Sequence, residues 1–396
     1  MKAYLFLTFA TLLLHADVTD TNASTNSSSD NADRPSRLEA GYGSDEIFSE
    51  TLPYMPDVSV KERVKIQGDL RLRSQTIHDN DGTESVFRYR ARVGVTAAVT
   101  DNVQFEFMLA TGDGDPVSTN QTAGNFFSGK GIVVDIADVY YGYGYHEFIR
   151  LGKMKLPFYR PDKNQMIWDN DLRPEGVFAK HKLFANIDIT AGAFMVQAEK
   201  ENGDSKPDQN AIGLYTFQVV QYLGDFRVGG GVYIYDQLEG ESSELSYGGK
   251  DKRLAKGNTV DINGIYEHDY YLGELFAQYK VTDDLSLGLD GVYNAGAPTN
   301  NRAYNISAMY GSLKNNGDFK FGYYYRYTEK DAVFGMFSDS DFAGGQTDSK
   351  GSQLMGGYQI AKNMQLAFTY INATRKMSSL DSERFQRLHL DFKIKF

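Results

Sequence analysis

The sequence predicts an all-β chain, a transmembrane antiparallel β-barrel of about sixteen strands. Three observations predict it. Apolar residues recur with a period of two over most of the chain after residue 65. The composition suits strands, with 25 Phe, 27 Tyr and 39 Gly among 396 residues but only 9 Pro. The links between the alternating runs are short and long in turn, which is the habit of membrane barrels.

Composition also excludes. There is no Cys, so disulfides, thiolate metal sites and cysteine nucleophiles are all absent. Basic residues number 41 and acidic ones 52, a net charge of −11. That balance disfavours a nucleic-acid binder, which needs cations to displace counterions. A mean hydropathy of −0.45 rules out a bundle of membrane helices. It leaves a barrel open, because only alternate residues face lipid.

Met1 and Lys2 carry one positive charge, and Ala3 to Leu14 is an almost continuous apolar run that Asp17 ends. Twelve residues are too few to span a bilayer and fit the core of a secretory signal peptide. The chain therefore divides into a signal peptide at 1–16, an acidic leader at 17–60 and a barrel at 61–396. Cleavage is expected after Ala16, with Ala23 as the second candidate. Thr19 to Asp33 is rich in Ser, Thr, Asn and Asp and has no periodicity. It cannot bury a core, so a disordered periplasmic leader is expected.

The strands follow in order. Ile66, Leu70 and Leu72 alternate with Gln67, Asp69, Arg71 and Arg73. Phe87, Tyr89, Ala91, Val93 and Val95 alternate with Arg88, Arg90, Arg92 and Gly94. Phe105 and Phe107 alternate with Gln104 and Glu106. Further on, Tyr271, Leu275 and Tyr279 alternate with Glu274, Gln278 and Lys280, and Phe321 to Tyr327 with Lys320 and Arg326. The final run places Leu388, Leu390, Phe392, Ile394 and Phe396 on one face. Tight links fall at 100–102, 144–147, 185–186, 222–225, 282–284, 315–318 and 361–363. Long polar links fall at 78–84, 112–131, 155–176, 198–208, 236–268, 295–302, 329–349 and 374–383. Eight long and seven short links make sixteen strands, with fourteen and eighteen as neighbouring counts. Long loops are expected outside the cell and short turns in the periplasm.

One magnitude assigns the faces. Arg or Lys facing lipid near the midplane costs ~2–4 kcal/mol. Arg88, Arg90 and Arg92 together would cost up to ~10 kcal/mol, comparable to a whole domain's stability. They must face inward, and the register follows. A soluble sandwich is the competing fold. It would not place so many Tyr and Phe at strand ends, nor close on a terminal alternating strand.

Gly68 to Gln75 (GDLRLRSQ), residues 87–130 with LATGDGDPVSTNQ, RLGKMKLPFYRP at 150–161 and MIWDNDLRPEGV at 166–177 resemble the "Putative porin" family of Gram-negative outer membranes. The likeness is densest over 60–180 and then loosens to strand pattern. It implies passive diffusion of small hydrophilic solutes, and a distant similarity to anion-selective porins with basic ladders in the lumen. The terminal KIKF is similar to the aromatic signal read by the barrel-assembly machinery, through Phe396. Such a protein would meet outer-membrane lipid and lipopolysaccharide. Porins often assemble as homotrimers. The sequence leaves the oligomeric state open, with Gly229–Gly231 and Gly356–Gly357 as candidate small patches, although barrel corners are the plainer use of glycine.

In general porins the third long loop folds inward. Here that loop is 155–176, with Lys155, Arg160, Lys163, Trp168, Asp169, Asp171 and Arg173, and it is expected to narrow the lumen. A surface lid is the alternative. Pore-lining candidates are Arg71, Arg73, Arg88, Arg90, Arg92, Glu106, Arg150, Lys320 and Arg326. Twelve basic wall residues against seven acidic ones predict a lumen favouring small anions, through field focusing and bidentate pairing. The competing expectation is that these arginines pair with wall and loop acids and confer no net selectivity.

Two other classes are weighed against the channel. A lipid-hydrolysing barrel would need a Ser–His pair. His78, His146, His181, His268 and His389 sit in no nucleophile-elbow or metalloprotease string. A structural or adhesive barrel would have a plugged lumen. The DNDG and GDGDP stretches lack the ligand spacing of a calcium loop, so no metal or cofactor is expected.

Overall fold

The computed structural model describes residues 63–124, 126–199, 210–247, 250–253 and 255–396. The expected signal peptide and leader lie outside the described residues, apart from the junction at 63. Sixteen strands form the wall. They are β1 (Val64–Asp79), β2 (Gly82–Ala98), β3 (Val103–Thr111), β4 (Ile132–Gly144), β5 (Glu147–Lys153), β6 (Glu175–Leu183), β7 (Ile187–Gln197) and β8 (Ile212–Leu223). Then come β9 (Phe226–Asp236), β10 (Tyr270–Lys280), β11 (Leu285–Asn294), β12 (Arg302–Gly311), β13 (Phe319–Thr328), β14 (Ser349–Ala361), β15 (Met364–Arg375) and β16 (Glu383–Lys395). Each pairs antiparallel with its neighbours in sequence, and β1 also pairs with β16, from Asp69 opposite Lys395 to His78 opposite Gln386. The barrel is closed, so the wall has no free edge to template aggregation.

Period two does its work at every strand. The residues expected outward are exposed, among them Phe87, Val93, Leu275, Leu289, Phe321 and Leu390. Tyr and Phe collect at both rims. Tyr279, Phe226, Tyr310, Phe319 and Tyr358 lie toward the turn end, with Phe226 and Tyr279 stacked 4.2 Å apart. Tyr271, Tyr293, Tyr304 and Tyr327 lie toward the loop end. Tyr271 and Tyr279 are eight residues apart on β10, or ~26 Å at ~3.3 Å per residue. That matches an apolar band ~25 Å tall between two aromatic girdles.

Seven links at one end run from two to seven residues and close with turn-forming backbone, for example Gly224 and Asn363 in left-handed conformation. Most links at the other end are long. The first is not: the sequence suggested a loop over 78–84, but β1 and β2 continue to Asp79 and Gly82, leaving a two-residue turn. There the polar residues serve the strand ends, with His78 Nδ1 bonded to Thr83 at 2.7 Å and Thr76 to Ser85 at 3.1 Å. Polarity alone does not make a loop where cross-strand polar pairs are available.

The long loops fill the interior. Four of them, 112–131, 154–174, 237–269 and 329–348, contribute buried apolar side chains to one cluster inside the wall: Val117, Trp168, Tyr266 and Phe334 among them. Wall residues Phe178, Phe194, Leu214, Tyr233, Tyr235, Tyr270 and Leu272 complete it. Gly229 and Gly231 face this interior, where Phe276 and Tyr233 occupy the space their side chains would need. They are packing positions, and only Gly230 of that triplet points outward.

Candidate functional site

Register builds a charged wall on one side of the interior. Asp69 lies between Arg92 and Lys395, Arg71 between Arg90 and Lys393, and Arg73 between Arg88 and Asp391. Arg73 grips Asp391 with two bonds, Nε at 2.7 Å and a terminal nitrogen at 3.0 Å, and reaches Asp341 at 3.2 Å. Asp69 accepts from Arg90 at 3.0 Å and from Arg92 at 2.6 Å. Arg71 donates to Asn120 at 2.7 Å. Arg88 reaches Gln75 at 3.4 Å, and no ion pair is recorded for it among the described residues.

The wall continues through β3 to β5. Arg150 donates to Asp138 at 2.9 Å and to Glu106 at 3.2 Å, and Lys155 stands 3.5 Å from Glu106. A bulge opposite Met108 and Leu109 lets Asp135 turn inward beside Ile136. Arg173 meets Asp135 at 3.1 Å. Buried guanidiniums are tolerable only because each finds hydrogen-bonded carboxylates or amides.

Residues 154–174 leave β5 and lie inside the wall. The segment touches both sides. Asp171 meets Arg90 of β2 at 3.1 Å. On the far side Asp162 accepts from Gln278 at 2.6 Å, Ser286 at 2.5 Å and Ser307 at 2.7 Å, while its backbone carbonyl accepts from Tyr324 at 2.6 Å. Those four partners sit on β10, β11, β12 and β13. A short 3-10 turn at Pro161–Lys163 makes this tip, with Asp162 and Lys163 both in left-handed backbone (φ 47° and 62°). Two such residues in succession cost of order 1–3 kcal/mol each and persist only because the contacts hold them.

Between the two ends the segment is apolar. Trp168 is 1% exposed and packs against Phe158 at 5.3 Å and Tyr233 at 5.2 Å. Phe158, Met166, Ile167, Trp168 and Leu172 are all buried. At ~1.5–3 kcal/mol per large apolar side chain, the five contribute ~8–15 kcal/mol, as an upper bound. Arg160 bridges the segment internally, donating to the carbonyls of Asn164 and Trp168 and to Asn170.

A second inward segment, 329–348, carries residues that the sequence left unassigned. Asp341 meets Arg387 at 2.7 Å, and Asp339 meets Arg326 at 3.1 Å. Phe342 packs beside Ile371 and Phe385, and Arg326 lies over its ring at 4.6 Å. The two segments are joined by backbone bonds. The N–H of Asp169 donates to Phe337, that of Asp339 to Gln165, and that of Ser340 to the Asp169 carboxylate at 2.8 Å. A polar, Gly-rich stretch gives no periodic signal, so only its pairs of Asp and Phe hinted at this role.

Burial and neighbouring charge shift the groups on these segments. Burial, with Asp171 and Asp339 nearby, holds the Asp169 carboxyl well above the usual range. Burial pulls Lys155 down to about 8 against the pull of Glu106. Asp341 goes the other way: burial would raise it, but the positive surroundings of His389, Arg73 and Arg387 hold it far below. Lys320 is half-buried on the inward face of β13.

Nearly all of the barrel matches one family model, described as "Putative porin", over residues 71–263 and 267–396. The chain belongs to this family. It is an outer-membrane channel barrel of the Gram-negative type. Its fold is similar to that of OprB from Pseudomonas putida, solved at high pH, with 12% identity over 85% of this chain and 95% of that one and a TM-score of 0.56. A triple mutant of the Rhodopseudomonas blastica porin is also similar, with 12% identity over 84% of this chain and 100% of that one and a TM-score of 0.47. No curated protein matches the chain.

Proposed function

We propose that the barrel is a passive diffusion channel for small hydrophilic solutes that leans toward anions, narrowed by residues 154–174. The observation that carries this reading is the arginine wall. Among the described residues six guanidiniums, on Arg71, Arg73, Arg88, Arg90, Arg92 and Arg387, cluster around five carboxylates, on Asp69, Asp135, Asp171, Asp341 and Asp391. The excess is modest, so the lean is modest. Solute selectivity in such a pore comes from radius and from the charges that line it.

A plugged, structural barrel is the second reading. It is favoured by the near-complete burial of Arg90, Arg92 and Trp168 (2%, 3% and 1% exposed). Three of the five histidines among the described residues, His78, His181 and His389, bond Thr83, Glu147 and Gln75, which lends a hydrolase no support. Purified protein in planar bilayers separates the readings. Stepwise conductance with a reversal potential toward anions supports the channel. Cation preference overturns the lean, and no conductance favours the plug. Phe396 is exposed, and its backbone exchanges two bonds of 3.0 Å with Gly68 at the seam. That leaves its ring available to the barrel-assembly machinery.

A further inference from the structure

Three inward polar side chains on neighbouring strands gather on the side of the interior away from the arginine wall. Asp290 on β11 stands directly opposite Asn305 on β12. Glu274 on β10 lies diagonally across from Asp290, two residues from its direct partner Phe276. The three are shut off from solvent: Glu274 is 3% exposed, Asp290 1% and Asn305 0%. The carboxyl groups of Glu274 and Asp290 lie within hydrogen-bonding reach of each other.

One oxygen of each carboxyl is satisfied. Glu274 Oε2 accepts from the Tyr233 hydroxyl at 2.6 Å and from Gln218 at 3.3 Å, and Asp290 Oδ2 accepts from Asn164 at 3.0 Å. No donor reaches the other two oxygens, Glu274 Oε1 and Asp290 Oδ1, and neither the oxygen nor the nitrogen of the Asn305 amide has a partner. No ion pair closes either acid among the described residues. Arg326 and Arg160 act on Asp290 from nearby, but both are engaged elsewhere. Arg326 meets Asp339 at 3.1 Å, and Arg160 donates to the carbonyls of Asn164 and Trp168 and to Asn170.

We propose that Glu274, Asp290 and Asn305 bind a divalent cation, with calcium the ion that fits. Two carboxylates facing each other in a dry wall repel and pay desolvation unless positive charge sits between them. Asn305 decides what that charge is. A shared proton would join the two acids and leave the amide idle, whereas a metal ion takes the amide oxygen as a third ligand. The set is all oxygen, which suits a hard cation and not the metals that seek thiolate or imidazole. Two negative charges match a divalent ion. Calcium accepts irregular oxygen sets at about 2.3–2.6 Å and completes them with water, while magnesium demands near-ideal octahedral geometry. No ligand spacing in the sequence announces the site, because its three residues come from three strands.

The inference stands apart from the channel reading. Its consequence is local: Asn164 follows the Pro161–Lys163 turn and holds the other oxygen of Asp290, so a bound ion fixes the wall on which that turn rests. The test uses the purified mature protein, stripped with EDTA, dialysed into sodium chloride buffer and equilibrated with radioactive calcium. About one calcium ion per chain should bind and raise the unfolding temperature in detergent. Asp290→Asn should abolish the uptake. Asn305→Ala keeps both acids and should weaken affinity about tenfold or more, and it decides the matter where Asp290→Asn fails to fold. No uptake by the unaltered protein overturns the inference and leaves a shared proton as the closure of the pair. Equal affinity in Asn305→Ala overturns it as well, since the ion then binds elsewhere. Neither result bears on the conductance and reversal potential that judge the channel reading.

Discussion

The two sides of the interior are built by one strand code and read very differently. From β16 through β1 to β5 the inward positions are charged: Arg73, Arg90, Arg92 and Arg150 face Asp391, Asp69, Asp138 and Glu106. From β6 to β11 the loop-side half is apolar, with Phe178, Phe194, Leu214, Tyr233, Leu272 and Val292, while Asp188, Gln218, Glu274 and Asp290 keep the positions below it polar. Residues 154–174 lean on both, through Asp171 on the charged side and Phe158 with Trp168 on the apolar one. The difference teaches a division of labour. The apolar side holds the inserted segments by burial, and the charged side holds them by ion pairs such as Asp171 with Arg90 and Asp341 with Arg387.

The comparison can be broken from either side. The largest effect is expected at Trp168→Ala. Removing this side chain from a closed apolar packing should cost about 3–5 kcal/mol. Residues 154–174 should loosen, seen as noisier and larger single-channel steps and a lower unfolding temperature in detergent. Unchanged steps would show that the apolar side does not position the segment. Next is Asp69→Ala, which leaves Arg90 and Arg92 short of their shared partner. The penalty for stranding buried charge is about 3 kcal/mol, less what Asp171 recovers, and the anion lean should rise. A gain in stability would mean that the pairs are not buried as described.

Arg88→Gln should be milder. Its nearest polar partner is an amide at 3.4 Å, so folding should be unaffected, and the anion-to-cation ratio should fall by less than about twofold. The smallest effect is a pH response. Lys155, pulled down to about 8 by burial, loses its proton as pH rises from 7 to 9. The lumen then loses one positive charge, so the anion lean should shrink slightly over that interval. The sign for stability is opposite: a lysine whose folded pKa lies below its unfolded one costs stability while protonated, and the cost falls above pH 8. Lys155→Met should abolish the selectivity step.

What the sequence made legible follows the same division. Arg88, Arg90 and Arg92 could be turned inward because lipid makes the alternative prohibitive. The strand count came from period two and the spacing of polar links. Tyr233 and Tyr235 could not be placed, because Val232 and Ile234 beside them are equally apolar and hydropathy has no contrast to offer. Asp135 was hidden by a bulge that shifts the period by one residue. Asp339 and Asp341 were hidden because a count of wall charges ignores carboxylates brought in by loops. The balance of twelve to seven therefore overstates what the assembled interior presents.

The junction between residues 154–174 and 329–348 has a mechanical consequence. The first segment carries four basic and three acidic residues, the second one basic and five acidic. A voltage along the barrel axis therefore pulls them in opposite directions. Moving one full charge through 100 mV is worth about 2.3 kcal/mol. The load is shared between the backbone bonds that join Asp169, Phe337, Asp339 and Gln165 and the ion pairs by which Asp171, Asp339 and Asp341 hold each segment to the wall. The wall, laced by hundreds of ångströms of paired backbone in aggregate, does not yield first. The two inserted segments are thus loaded against each other by the same field that leaves the paired strands unloaded.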